Sequence, residues 1–421
     1  MKAGFKQVDI SPVYFPIRTY LGAVNEIVDP IFANAAVFDN GIKKIVLISL
    51  DIVIIEWEYA DRIRKGVSKN TGIPESSIMV STTHNHACPA VVDRPTCMKE
   101  GKYIDYLILK SIDAATKAAG NLKEVVIGTG SGVKTGIAFN RRFIKRNGTN
   151  ITQPLADLDE ILCSEGVIDS EVGVLVVRSK ESGKMLGILT NYGCHAVHLM
   201  GKVSAGFPGV LANCLKKEFD DDFVSVFLNG PCGNVIHYNY LEPNGFVEKE
   251  EVGRKLAQSV ISIVNDIEFN SDERLEVLQD SVKIKYRPLD ELEQGVDKLI
   301  NIFDAIRNRG WYDYSLEVLR EKHAKADHET AVIQALRIGD ATYTTIPAEY
   351  FNEHGLRIKL ENDNRFTWVI SLANGWLGYV PTQEAFTRKG GHESTLALWS
   401  KMEYKAGDIM ADKALELLKQ I

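Results

Sequence analysis

Apolar, β-branched runs recur along this chain, each emptying into a polar turn, and amphipathic stretches separate them. Residues 44–55 are continuously apolar and read as a buried strand, and 56–69 follow with helical periodicity. Residues 78–83 return to strand, 104–119 space their apolar positions three and four apart, and 124–130 are strand again. Strands that are apolar throughout, rather than alternating, belong to a sheet covered on both faces. This β-α-β-α rhythm predicts an α/β fold, with layered mixed sheet or sheets, flanking helices and an active site at the strand carboxyl ends. Residues 172–177 and 185–191 read as neighbouring strands joined by a polar turn at 179–184. Residues 208–219 and 247–265 read as helices on either side of a strand at 223–228.

The remainder is less regular. Residues 275–286 alternate as a half-exposed strand does, 290–309 and 315–326 read as charged helices, and 331–345 and 366–377 as strands. Residues 405–420 close as an amphipathic helix. No internal repeat or low-complexity linker interrupts the chain, so the expected division falls near 270. Residues 1–270 would be an α/β metal-binding core, and 271–421 an α+β part that completes the metal site and packs with the core as one body.

Charge and composition exclude several functions. A net charge of −7 without a Lys/Arg stripe argues against nucleic acid. No run of 18 apolar residues exists, so no membrane span or stable membrane association is expected. The first residues lack the apolar core of a signal peptide, which points to the cytoplasm. The six cysteines form no C-x-x-C pair, so reduced thiols are expected rather than a zinc finger or disulfide framework. The sequons at Asn147 and Asn150 read as a polar turn. A small-molecule partner is expected, and a homo-oligomer stays open.

The chemistry gathers where strands end. The strand expected over 78–83 empties into Thr83-His84-Asn85-His86. Residues i and i+2 of a strand share a face, so both rings can reach one point, and neutral imidazole is the commonest metal ligand. The plainer alternative is a hydrogen-bonded turn. A second apolar strand ends at Gly193-Cys194-His195, with His198 three residues on. Each of these histidines has a core histidine as its alternative. A third strand runs into Asn229-Gly230-Pro231-Cys232-Gly233-Asn234-Val235-Ile236-His237. Such a glycine loop can present amide N–H groups to an oxyanion or can simply be a tight turn. Its spacing matches neither a Walker loop nor a dinucleotide fingerprint. Glu349 follows an apolar strand and Pro347, and Tyr379 lies in Asn374-Gly-Trp-Leu-Gly-Tyr. Singly, Glu349 reads as a helix N-terminal charge and Tyr379 as a core aromatic. Four strand ends bearing His, His, Glu and Tyr together suggest one metal site.

Five segments, in order and over nearly the whole chain, resemble the catalytic domain of the neutral/alkaline non-lysosomal ceramidase family. They are Val8-Asp-Ile-Ser-Pro12, Thr83-His-Asn-His-Ala-Cys-Pro89, Asn191-Tyr-Gly-Cys-His195, Pro347-Ala-Glu-Tyr-Phe351 and Gly378-Tyr-Val-Pro-Thr382. The resemblance implies one zinc ion held by His84, His195, Glu349 and Tyr379. It implies that His86 faces substrate for proton transfer or oxyanion stabilisation. It also implies that Arg141, in Asn140-Arg141, stabilises charge or binds a substrate carboxylate. The alternative for Arg141 is a surface arginine in a basic cluster with Arg142, Lys145 and Arg146. Zinc in such a set keeps a position for water, lowers its pKa towards ~7 and polarises a carbonyl. Gly230, Gly233, Asn234 and His237 are the expected substrate or oxyanion residues.

The departures are informative. The family carries Gly-Asp-Val-Ser-Pro-Asn where this chain has Gly233-Asn-Val-Ile-His-Tyr, so Ile236 stands at the serine and Asn234 at the acid. The family's C-terminal immunoglobulin-like domain has no counterpart in this sequence. The expectation is a zinc-dependent hydrolase using metal-activated water on an amide of a small soluble substrate rather than membrane ceramide. Another divalent ion stays open. The rival readings are a non-catalytic or regulatory binding module on this scaffold, and a metal-dependent isomerase or lyase acting on a sugar derivative.

Overall fold

The computed structural model describes residues 1–94, 97–155, 158–220, 222–290, 309–388 and 390–421. Of the helix expected over 290–309, residues 291–308 lie outside the described residues.

Two sheets carry the fold. The larger has eight strands, ordered Val224–Asn229, Met185–Tyr192, Glu171–Ser179, Lys123–Val133, Lys2–Asp9, Phe32–Asp39, Lys44–Leu50 and Ile78–Thr82. Its two outermost pairs are parallel and the rest antiparallel. The smaller has four strands, ordered Leu275–Lys285, His328–Ile338, Ala341–Ile346 and Thr367–Ser371, and its last pair is parallel. This is the mixed α/β architecture expected, in four layers. Helices Trp57–Thr71 and Gly101–Ala119 cover one half of the outer face of the large sheet, and Gly206–Phe219 and Lys249–Asn265 the other. The inner face packs on the small sheet, which is closed by Asn352–Glu361 and Ala406–Leu418.

The layer between the sheets draws on both sides of residue 270. Leu175, Val226 and Leu228 meet Leu336, Tyr343 and Trp368, all nearly inaccessible to solvent. Burying each such large apolar side chain contributes about 1.5–3 kcal/mol, so the two sheets share one core. No described helix is long and apolar enough to cross a membrane.

Several strands differ from expectation for local reasons. Phe32–Asp39 was not expected because Phe-Ala-Asn-Ala-Ala-Val-Phe-Asp is alanine-rich. Its small Ala33 and Ala35 let helix Gly101–Ala119 pack closely. Lys2–Asp9 carries too few apolar residues to register as a central strand. The apolar run 44–55 leaves the sheet at Leu50, and its remainder turns to line a cavity with Val53 and Ile54. The run 331–345 is a hairpin broken at Gly339, whose φ of 59° suits glycine. The strand expected over 366–377 stops at Ser371, where Leu372 and Asn374 take positive φ.

Candidate active site and metal centre

Three parallel pairs contribute to the site, and within each pair both strands end on the same side. His84 follows Ile78–Thr82 and His195 follows Met185–Tyr192. Asn229 closes the partner of the second strand, and Glu349 follows Ala341–Ile346 in the small sheet. Glu349 and Tyr379 then pair in register on a two-residue parallel ladder.

His84 has φ of 59°, a left-handed conformation that costs a non-glycine residue about 1–2 kcal/mol. Its neighbours fix it there. The Thr83 and Asn85 amides donate to Leu50 and Ile52 (2.9 and 3.1 Å), and His84 Nδ1 donates to the Val53 carbonyl at 2.8 Å. His195 Nδ1 donates to the Cys232 carbonyl at 2.5 Å. With both Nδ1 atoms occupied as donors, each Nε2 turns a lone pair inward.

Those lone pairs face a carboxylate. Glu349 Oε2 lies 3.3 Å from His84 Nε2 and 3.2 Å from His195 Nε2, and the Tyr379 hydroxyl lies 3.4 Å from His195 Nε2. Three acceptors held this close repel one another unless a cation lies between them. Ligands in a tetrahedral zinc site, with bonds of ~2.0–2.1 Å, are about 3.3 Å apart. The donor set therefore fits a single divalent ion. Trp376 Nε1 donates to the other carboxylate oxygen of Glu349 at 3.0 Å and so turns Oε2 towards the site. Replacing Trp376 with Phe is expected to weaken metal binding about 10–100-fold, the usual effect of losing an outer-shell partner. Competition with a chelator measures this, and unchanged affinity would leave Trp376 a packing residue only.

His86 is placed differently. Its Nε2 is 3.4 Å from His84 Nε2, and ligand atoms of His84, His86 and His195 all lie within 4.8 Å of one another. However, its Nδ1 is buried and has no hydrogen-bond partner among the described residues, so its ring lacks the carbonyl anchor of the other two. It forms part of the wall of a cavity of about 260 Å³ that opens over the donor set.

Burial dominates the electrostatics. Burial pushes His195 down to about 3, and it also pushes His86 well below the usual imidazole value, so both rings are neutral at pH 7. Burial, and then the Glu349 charge, raise the Tyr379 phenol well above its usual value.

Arg141 is not a surface residue. It is 4% exposed and lines the cavity. Its Nε is 2.8 Å from Glu393, its Nη2 donates to the Gly233 carbonyl at 2.8 Å, and its guanidinium carbon is 5.4 Å from the Tyr379 ring centroid. Glu393 was not expected from the sequence. It is fully buried, and it also accepts from Arg142 Nη1 and Thr152 Oγ1, both at 2.6 Å. Burial opposes its charge, yet Arg141 and Arg142 bring its carboxyl down to about 2. A depressed carboxyl contributes stability above its unfolded pKa of ~4.3 and loses it as pH falls towards 2. Glu393→Ala strands two buried guanidinium groups and is expected to cost ~3–5 kcal/mol in urea unfolding at pH 7. A loss below ~1 kcal/mol would mean that water replaces the carboxylate.

The loop 230–233 departs from the expected oxyanion role. The Gly230 and Gly233 amides donate to Tyr192 and Tyr350 carbonyls at 3.0 and 2.8 Å, so neither N–H is free. The loop instead offers carbonyls: Cys232 to His195, and Gly233 to Arg141. Glycine is required at 233 because a Cβ there would meet the Glu349 backbone at 2.5 Å. Asn234 faces away from the cavity, binding Glu353 at 2.9 Å and the Asn352 amide at 3.0 Å. His237 and Ile236 do line the cavity. His237 stacks on His198 at 3.4 Å, and neither of its ring nitrogens has a hydrogen-bond partner among the described residues.

Asn229 also escaped notice in the sequence. Its Nδ2 donates to the carbonyls of Thr83 and Cys194, both at 3.1 Å, and its Oδ1 accepts from the Cys194 amide at 3.1 Å. It thereby ties together the residues that precede His84 and His195.

No family model and no curated protein matches the sequence. Solved structures do match the fold. The neutral ceramidase from Pseudomonas aeruginosa superposes with a TM-score of 0.73, covering 100% of this chain and 75% of that one at 15% identity. A ceramidase complexed with C2 gives 0.75, covering 99% and 74% at 14% identity. The chain therefore has a neutral ceramidase-like fold over its full length.

Proposed function

We propose that this protein is a metal-dependent hydrolase that cleaves the amide C–N bond of a small, soluble, cytoplasmic substrate. One observation carries the reading: His84, His195, Glu349 and Tyr379 converge at 3.2–3.4 Å on the floor of an open cavity. When bound there, a divalent ion such as zinc supplies Lewis acidity and lowers the pKa of water. The ceramidase titles of the structural neighbours agree with amide chemistry.

The residues divide the work. The water oxygen bonds to the carbonyl carbon, the C–N bond breaks and one water proton ends on the departing nitrogen, giving a carboxylic acid and an amine that exchange the remaining acidic proton to become carboxylate and ammonium. His86, neutral and with an unpartnered nitrogen, takes that proton and passes it to the amine. Arg141, held by Glu393, places positive charge beside the Tyr379 ring, where negative charge develops on the carbonyl oxygen. Trp376, Phe246 and Leu398 give the cavity apolar walls that shed water and hold an acyl group.

Side-chain nucleophiles fit poorly. Ile236 stands where the ceramidases have serine. Cys232 is fully buried, outside the cavity lining, and burial raises its thiol well above the usual value. Ser204 is spent on Asp29 at 2.5 Å. Cys232→Ala is therefore expected to leave turnover nearly unchanged, and an acyl adduct trapped on Cys232 would overturn the water mechanism. The direct test is metal analysis of the purified protein together with a screen of N-acyl amino acids, N-acyl sugars, lactams and esters. About one ion per chain with amide hydrolysis supports the reading, whereas a metal-loaded protein inert to every amide rejects it.

A further inference from the structure

The charges on the cavity wall do not balance. Arg141 is matched by Glu393 at 2.8 Å. Asp93 is matched by Lys99, whose Nζ is 3.6 Å away and whose amide donates to Asp93 Oδ1 at 2.9 Å. Glu349 faces the histidines of the metal site. Arg94 also lines the cavity, and among the described residues its guanidinium has no ion pair and no side-chain hydrogen bond. It stacks on the ring of Tyr20, with the guanidinium carbon 4.1 Å from the centroid. Tyr20 is itself fixed, being 6% exposed with its hydroxyl accepting from the Val91 amide at 3.2 Å.

This geometry differs from that of a solvated surface arginine. Stacking satisfies the π face of a guanidinium and leaves its N–H edge unused. That edge is a planar fork matched to a carboxylate, which it binds through two parallel charge-assisted bonds. A half-buried guanidinium with an immobilised platform has also lost much of its rotamer freedom before any ligand arrives. The remaining wall is mostly apolar and aromatic, and neutral His237 offers the only wholly unpartnered imidazole on it among the described residues.

We infer that Arg94 on its Tyr20 platform is a specificity site for an anionic group, so that the preferred substrate is a carboxylate-bearing amide of the N-acyl amino acid kind. The inference rests on the amide-hydrolase reading for its chemistry but not for the binding site itself. Atoms balance as in any amide hydrolysis: the acyl carboxylate leaves as one product and the free amino acid as the other. Arg94 touches the carboxylate that does not react, so its contribution belongs to binding and orientation.

The experiment pairs an N-acylglycine with the N-methylamide of the same compound, which replaces the carboxylate by a neutral group, and turnover is read as release of the acyl acid. Kinetics on the metal-loaded wild type, Arg94→Gln and Arg94→Lys come first. Wild type is expected to prefer the carboxylate by roughly 10–100-fold in kcat/KM, the effect of one charge-assisted bidentate contact. Arg94→Gln should collapse that ratio towards one, mainly through KM, and Arg94→Lys should recover part of it. Calorimetric binding of the N-acylglycine to wild type and Arg94→Gln forms the second arm, which needs no turnover. Binding that depends on Arg94 without hydrolysis would sustain the anion site and reject the amidase reading. Hydrolysis of both amides with a wild-type ratio near one would do the reverse. A carboxylate preference that survives Arg94→Gln would assign the anion to another group and overturn the inference.

Discussion

His195→Ala is expected to release the metal and remove essentially all turnover. His195 Nε2 lies 3.2 Å from Glu349 and 3.4 Å from Tyr379, so its loss opens the donor set at its middle rather than at its edge. It also frees the Cys232 carbonyl, which then has no imidazole to orient. A Lewis acid supplies several kcal/mol of transition-state stabilisation, so kcat/KM should fall on the order of 10³-fold or more. Metal content after dialysis should drop from about one ion per chain to near zero. Added zinc should raise the Tm of wild type, because an ion binding only the folded state at 1,000 times Kd stabilises it by ~4 kcal/mol. It should leave the variant nearly unmoved. Retention of both metal and activity in His195→Ala would remove the residue from the site. Loss of activity with metal intact would make it a proton-transfer group instead.

What the sequence made legible follows from periodicity. Buried parallel strands are apolar throughout, so Ile78–Thr82, Met185–Tyr192 and Val224–Asn229 announce themselves, and the histidines behind them stand out against that background. Glu349 and Tyr379 were legible singly only as a helix-end charge and a core aromatic, and as ligands only through their shared position at strand ends and the motif resemblance. The physical link between them, a two-residue parallel ladder between loops 30 residues apart, has no local signature. Phe32–Asp39 was invisible because its packing relies on small residues, and Lys2–Asp9 because it carries few apolar ones. Glu393 and Trp376 were missed because an acid in a glycine-rich loop and a tryptophan between glycine and leucine resemble ordinary surface and core. Only the pairing of Glu393 with Arg141 and Arg142, and of Trp376 with Glu349, reveals their work. The glycine loop shows the opposite error. Its composition suggested free N–H groups, but neighbouring carbonyls already take them, and the loop orients His195 through its own carbonyl.

His86→Ala separates proton transfer from metal binding, and the two roles predict opposite results. His86 stands 3.4 Å from His84, near enough to serve as a third nitrogen ligand. Its ring has no carbonyl anchor, unlike His84 and His195, and its unpartnered Nδ1 belongs to the cavity wall. An unanchored imidazole is free to turn between the attacking water and the departing nitrogen, which a ligand cannot do. Burial, followed by the nearby His84 and His195, keeps it neutral at rest, so it enters the reaction as a base. The variant is therefore expected to keep about one metal ion per chain and to lose turnover by roughly 10²–10⁴-fold. Because the lost group carries a proton rather than substrate, the loss should fall on kcat with KM little changed. Added imidazole, filling the space the side chain vacates, should restore part of the rate with a dependence on its neutral form. Metal leaving with the side chain would make His86 a ligand, and unchanged kcat would exclude it from the chemistry.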